Sequence, residues 1–423
     1  MTVDTSTAIA WITRRAGFGL APGELGAAVI GGIDGYIDRL VDPDAHGVPA
    51  APEAWESQLP AADDRDARNR RARRERAVTA WLERMVVTPR PLHDWLTWFW
   101  HGHFATGLDK VRLPRLMIDQ IGMLTRLAFG PFPELVRAIT VDPAMLIYLD
   151  GRASVKGRPN ENYGRELLEL FTVGIDNFAE SDVRAAAVAL TGWRLDDAFR
   201  ARFAARRHDP SPQTLLGRPG VSDVDGVVAA ITEDPRCAEF IAGKLARAIL
   251  GPEVPPERQS RLAATFRHTG LDVRALVRAI LWTAVHDPAS RSPIVVAPVP
   301  WLVAAQRATG ARIEAAVALS GLRQAGQVPL QPPNVGGWPT GPAWLGAGPV
   351  VARINLAGAV ARATPPESPA FSAADRRDVD ALALALGRPE GFGPATRRAL
   401  ADADGGPVAT LTVALASPDL AVI

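Results

Sequence analysis

The stretch Asn160-Glu161-Asn162-Tyr163-Gly164-Arg165-Glu166-Leu167-Leu168-Glu169-Leu170-Phe171-Thr172-Val173-Gly174 decides how this chain is read. On a helix stepping about 100° per residue, Asn162, Arg165, Glu166 and Glu169 fall in one narrow stripe, while Tyr163, Leu167 and Leu170 share another. The spacing predicts an amphipathic helix with its Leu167/Leu170 side in a core. The polar stripe has two accounts. It is either a solvated face with a weak Arg165–Glu169 ion pair at i,i+4, or one wall of a site whose partners come from elsewhere in the chain.

Helical signals dominate on both sides of this stretch. Upstream, residues 5–43 read as two helices joined at Leu20-Ala21-Pro22-Gly23, the second stopped by Asp42-Pro43. A Pro/Ala-rich linker at 44–62 leads into a mixed-charge run, 63–76, predicted to continue as one long helix through Leu82. The most aromatic segment, 91–104, repeats Trp95, Trp98 and Phe99 at helical spacing, and Gly102 is expected to end that helix. Helices over 114–129 and 134–140 precede Asp142-Pro143, and a polar loop, 151–159, precedes the central stretch. Downstream, Phe199-Arg200-Ala201-Arg202-Phe203 alternates apolar and charged residues, which predicts a strand or hairpin within 193–209. Helices return from 224 onward, interrupted by a Pro/Gly/Trp loop at 331–348. The expectation is a mainly α, multi-helix globular protein with one small β-hairpin excursion near 193–209. The chain divides into three regions: 1–90, 91–222 with the candidate site, and 223–423.

The 423 residues, 47% of them apolar, allow a sizeable core. A formal charge of +1, from 47 basic and 46 acidic residues, argues against nucleic acid or anionic lipid as partners of the global field. The run 63–76 also lacks the interleaved aromatics of a nucleic-acid patch. Nearly all the positive charge is arginine; the only lysines are Lys110, Lys156 and Lys244. The single cysteine, Cys237, forms no internal disulfide or thiolate cage and reads as core. No apolar run reaches the length of a membrane span. The run Arg14-Arg15-Ala16-Gly17-Phe18-Gly19 resembles a twin-arginine export signal, but Glu24, Asp34 and scattered glycines interrupt the apolar stretch after it. The start therefore reads as mature helix and the protein as cytoplasmic.

Several short motifs occur in a fixed order: Arg14 to Gly19; Phe99-Trp100-His101-Gly102-His103-Phe104; Asp142-Pro143-Ala144-Met145; Asn160-Glu161-Asn162 with Arg165-Glu166-Leu167; Leu190-Thr191-Gly192-Trp193; Arg207-His208-Asp209; and Pro333-Asn334-Val335-Gly336-Gly337-Trp338-Pro339. Together they resemble the bacterial family called domain of unknown function 1800, across almost the whole chain. The resemblance implies no activity, because the family has no established one. For exported members it implies a partner from a second family, domain of unknown function 1501; this chain departs from those members in showing no convincing export signal.

The residues themselves nominate a cleft built from 99–115, 150–169 and 193–209. Glu166, Glu169 and His208 are candidate acid/base residues, because carboxylates and imidazoles exchange protons near neutrality. His101 and His103 are candidate ligands for a divalent metal; two residues apart, they lie about 200° apart on a continuous helix and converge only if Gly102 breaks it. Lys110, Arg112, Asn160, Asn162 and Arg165 are candidate substrate-binding residues, with Arg suited to an anionic group. The bland account of Asp109, Lys110, Arg112 and Arg115 is a loop ion-pair network, and that of Asp209-Pro210 is a turn. His46, His93, His268 and His286 read as structural, and Trp338 as a plug in the surface of a lobe. No His-Glu-x-x-His, P-loop, dinucleotide fingerprint or nucleophile elbow occurs. Two functions are expected: an enzyme with a His/carboxylate site, including a metal-assisted hydrolase, or a non-catalytic binding or assembly module whose polar stripe is structural and whose Trp/Pro loops contact a protein partner.

Overall fold

A computed structural model describes residues 4–50 and 69–423. The fold is mainly α, with two small two-stranded antiparallel sheets among the described residues. The first linker, 44–62, and the start of the mixed-charge run lie largely outside them; the helix expected there is described from Arg70 to Val87.

Helix boundaries follow local chemistry. Asp142 and Asp234 each precede a proline, and each accepts a hydrogen bond from a backbone N–H of the helix it opens (Pro143–Tyr148 and Pro235–Leu250). Proline at the first helical position gives up an N–H that has no intrahelical partner anyway. Asp142-Pro143, which reads as a stop in the sequence, is thus also a start. A single cluster of buried apolar residues extends from Ala8 to Leu415 and includes Trp81, Trp100, Phe104, Phe132, Phe171 and Phe266. No described helix is long and apolar enough to cross a membrane. Cys237 is buried in this core, and burial pushes its thiol well above the usual range.

The central stretch departs from a uniform helix. Glu161–Glu166 is α-helical, but Leu167–Thr172 adopts the wider π pattern, with Val173 N–H donating to Leu168 O at 3.0 Å. The 100° step therefore does not extend past Glu166. Gly174, at φ +88°, ends the segment where a side chain would meet the Phe240 ring. Leu167 is fully buried and Leu170 packs against the core, as the apolar stripe predicts. Gly164 sits against the helix Glu180–Ala189, where an added Cβ would lie 3.1 Å from Val183 O.

The expected excursion is a hairpin: β1 (Trp193–Leu195) pairs antiparallel with β2 (Ala201–Phe203). Asp196 organises its turn by accepting from the backbone N–H groups of Ala198 and Arg200 at 3.0 and 2.9 Å. A second hairpin, β3 (Gln213–Leu215) with β4 (Arg218–Val221), was not expected. Its signal is Leu216-Gly217, both at positive φ, the geometry of a two-residue hairpin turn.

Candidate functional site

The polar loop before the central helix is a junction. Asn160 accepts from the Asn162 backbone N–H at 3.0 Å, which caps the helix, and its side-chain amide donates to Asp150 O at 3.1 Å. Its own N–H donates to Ser154 Oγ at 3.0 Å. From the same loop, Ser154 O accepts from Gly192 N–H at 3.0 Å, and Lys156 N–H donates to Arg207 O at 2.7 Å. The loop thus ties the central helix to the hairpin region, two of the three segments expected to build the cleft. The third arrives through Lys110, whose ammonium pairs with Asp150 at 2.7 Å on the surface.

His208 is held by its Nδ1, which lies 3.0 Å from Thr191 O, and its ring packs on Phe203. Nδ1–H donation to that carbonyl leaves Nε2 as the acceptor nitrogen. Gly192 is required here: at φ +94°, an added Cβ would stand 2.9 Å from the His208 Cβ. Asp209 accepts from Ser211 N–H at 3.1 Å, so the Asp209-Pro210 turn has the expected form; the Ser211 hydroxyl and amide hold this carboxyl below its usual range.

Arg165 does not pair with Glu169. Its fork closes on Glu180 with two 2.7 Å bonds, and Glu161 is 4.0 Å away. The close approach at Gly164 makes this inter-helix pair geometrically available. Asn162 and Arg112 are exposed, and Arg112 sits at φ +61° beyond the short helix Leu108–Val111. Arg115 pairs with Asp119 at 2.7 Å. The bland ion-pair account therefore covers Lys110 and Arg115.

The two candidate metal ligands diverge. The tryptophan helix, Pro91–His103, runs through Gly102 without a break, so His101 and His103 point to different sides. The tight packing falls on Gly337 instead: an added Cβ there would lie 2.3 Å from Gly102 O, so the 331–338 loop lies directly on this helix. Trp338 then stacks on Trp98 at 4.9 Å as the expected plug. His101 is fully buried among Trp81, Trp98 and Trp338, and neither ring nitrogen has a partner among the described residues. Burial lowers its pKa to about 3, so the ring is neutral. His103 has both nitrogens engaged: Nε2 lies 2.9 Å from Phe171 O and Nδ1 2.9 Å from Lys244 Nζ. With Nε2–H donating to the carbonyl, Nδ1 accepts from the amine. Burial, then the Lys244 charge, holds this imidazole well below its usual pKa. Among the described residues, no three His, Cys, Asp or Glu gather as a metal cage. The expectation that His101 and His103 share a divalent ion therefore finds no donor set.

Lys244 is the residue that sequence reasoning missed. It lies on Pro235–Leu250 between buried Gly243 and Leu245, has no carboxylate in its described surroundings, and is lowered to about 8 by burial and then by Arg247. Its ammonium also sits over the Phe240 ring at 5.2 Å. Its signal was there: a chain that uses arginine almost everywhere placed one of three lysines inside an apolar helix.

Glu166 and Glu169 remain. Both are half-buried, and the Glu166 carboxyl is raised by burial and then by Glu169, with Arg165 opposing. The Tyr148 phenol is raised by its own burial, then by Asp109 and Glu166. Proton-exchanging groups therefore collect beside the central helix, but His101 and His103 are committed elsewhere.

The fold and these contacts define a mainly helical protein whose conspicuous polar segment is stitched to its neighbours by hydrogen bonds and ion pairs. The chain belongs to the family described as "Protein of unknown function (DUF1800)", whose model matches residues 11–422. No curated protein and no solved structure matches it.

Proposed function

We propose that this chain is a non-catalytic binding or assembly module in which the polar stripe of the central helix is structural. The observation that carries this reading is the commitment of the candidate side chains to protein partners: Arg165 to Glu180, Asn160 to the 149–154 loop, His208 to Thr191, and His103 to Phe171 and Lys244. A site that must grip a substrate leaves such groups open toward a cleft. The module's contact surface is the face carrying Val317 on the helix Ala315–Gln324, Leu345 at the end of the Pro/Gly/Trp loop, and Val351 and Ile354 on the helix Ala347–Ala363. All four are exposed large apolar side chains, and the helix Ala347–Ala363 packs against both of the other elements.

The test is chemical cross-linking and light scattering of the chain expressed in its native host, beside the Val351→Asp/Ile354→Asp variant. The reading expects a stoichiometric protein partner, or a second copy, that the variant loses while keeping its unfolding temperature. A chain that is monomeric and partnerless, or a variant that keeps its partner, removes it.

A second reading, metal-free acid/base chemistry, is favoured by the raised Glu166 carboxyl beside Glu169 and Tyr148. It expects Glu166→Gln to abolish any hydrolytic turnover found in a substrate panel without changing the unfolding temperature.

A further inference from the structure

We propose that the recess between the helices Arg70–Val87 and Ala315–Gln324 is a binding site for a phosphate-type oxyanion, free or carried on a small ester. The recess has a volume of about 290 Å³, near the lower end for small-molecule sites. It is lined by Arg71, Arg74, Arg323 and Gln331 together with the apolar Val78 and Leu319, and it opens to solvent on the side of Arg71, whose side chain is 86% exposed. One carboxylate, Glu75, stands among them; its Oε1 accepts from Arg71 Nε at 3.2 Å and from Arg323 at 2.9 Å. Among the described residues, three guanidiniums against one carboxylate leave an excess that a dianion neutralises.

Two features make this excess unusual. Two of the cations, Arg71 and Arg74, stand in the first turns of a helix, where the peptide dipoles already present positive charge and where acidic residues are ordinarily favoured, yet the first turn holds none; Arg323 comes from the last turn of Ala315–Gln324. Arg74 is also strained electrostatically: its terminal nitrogen donates to Leu108 O, its Nε is buried without a described partner, and its charge is disfavoured first by burial and then by Arg70 and Arg112, with Asp109 opposing. An oxyanion supplies the missing acceptors and relieves the repulsion, and guanidinium forks match its geometry. Among the described residues no aromatic side chain lines the recess, which gives it no stacking platform of the kind a single-stranded nucleic-acid site uses. The inference goes beyond the module reading and does not depend on it, since the recess is probed on the isolated chain.

The experiment is calorimetric titration of the full chain at constant ionic strength with inorganic phosphate, glycerol 3-phosphate and acetate, followed by thermal unfolding. Saturable binding of phosphate and its ester is expected, tighter than acetate and accompanied by a higher unfolding temperature. Arg71→Gln and Arg323→Gln each weaken it at least tenfold, while Arg71→Lys weakens it less and Arg261→Gln, at an exposed arginine outside the recess, leaves it unchanged. No saturable binding, or an equal loss in Arg261→Gln, overturns the proposal. Displacement of phosphate by a short single-stranded oligonucleotide with a steep salt dependence also overturns it, reassigning the recess to nucleic acid.

Discussion

His101 is a neutral imidazole that packs as an aromatic ring. Its nitrogens have no partner among the described residues, so the residue bears a desolvation cost that tight packing against three tryptophans offsets. Its pKa is about 3 in the fold against 6.5 unfolded, so the unfolded state binds more protons across that window and stability falls as pH drops through it. His101→Phe is expected to stabilise the protein by about 1–2 kcal/mol at neutral pH and to reduce its acid sensitivity between those two values. Urea unfolding at a series of pH values measures both, and a destabilised variant would mean that the ring nitrogens have an occupant. Lys244 has a pH signature of the same sign in a higher window. Its ammonium is disfavoured in the fold, at about 8 against 10.5, so its destabilising effect is complete below about 8 and is relieved as pH rises toward 10.5. The difference in unfolding free energy between the wild type and Lys244→Met should shift in favour of the wild type across that interval. A pH-independent difference would remove the assignment of a desolvated amine.

At the scale of elements, the central helix depends on how closely its neighbour approaches. Gly164→Ala places a methyl 3.1 Å from Val183 O and 3.3 Å from Ala187 N, so the helix Glu180–Ala189 must move. The expected cost is about 1–3 kcal/mol, read by urea unfolding, together with a loosened Arg165–Glu180 pair visible as faster hydrogen exchange in both segments. Unchanged stability and exchange would show that the two helices separate freely. The apolar stripe of this element was readable because burial imposes a periodicity on sequence, and Leu167 obeys it. The π turn was not: the i→i+5 pattern arises where packing and the Thr172 hydroxyl bond to Leu167 O favour it locally, and no residue type announces it. For the same reason the stripe holding Glu169 was drawn with the wrong step. The unbroken helix at Gly102 is similar. The Gly337 backbone lies against Gly102 O there, a contact with a segment more than two hundred residues away that no local signal announces.

Across the whole molecule, buried arginines join distant segments. Arg15 donates to Ile249 O at 3.1 Å, Ser292 O at 2.8 Å and Ile423 O at 2.6 Å. Arg307 donates to Val86 O and Thr88 O and meets Glu24 at 3.2 Å. Arg15→Met leaves three carbonyls short of a donor, and the expected loss is about 3 kcal/mol or more in urea unfolding; a loss below about 1 kcal/mol would mean that the carbonyls find other donors. The sequence resembled an export signal at this arginine because it pairs with Arg14, but the tertiary contacts give Arg15 a structural task.

The sequence by itself determined the mainly α class, the hairpin at 193–203, the core side of the central helix and the family, because local propensity, apolar period and ordered short motifs are written in neighbouring residues. Only the tertiary structure decided what the polar groups do. Whether Arg165 meets Glu169 or Glu180, whether His103 faces a metal or Lys244, and whether the arginines at the start of Arg70–Val87 share a recess with Arg323 all depend on segments far apart in the chain. A polar side chain reports its partner only by chemical type, and many partners of that type exist; position in the folded chain selects among them.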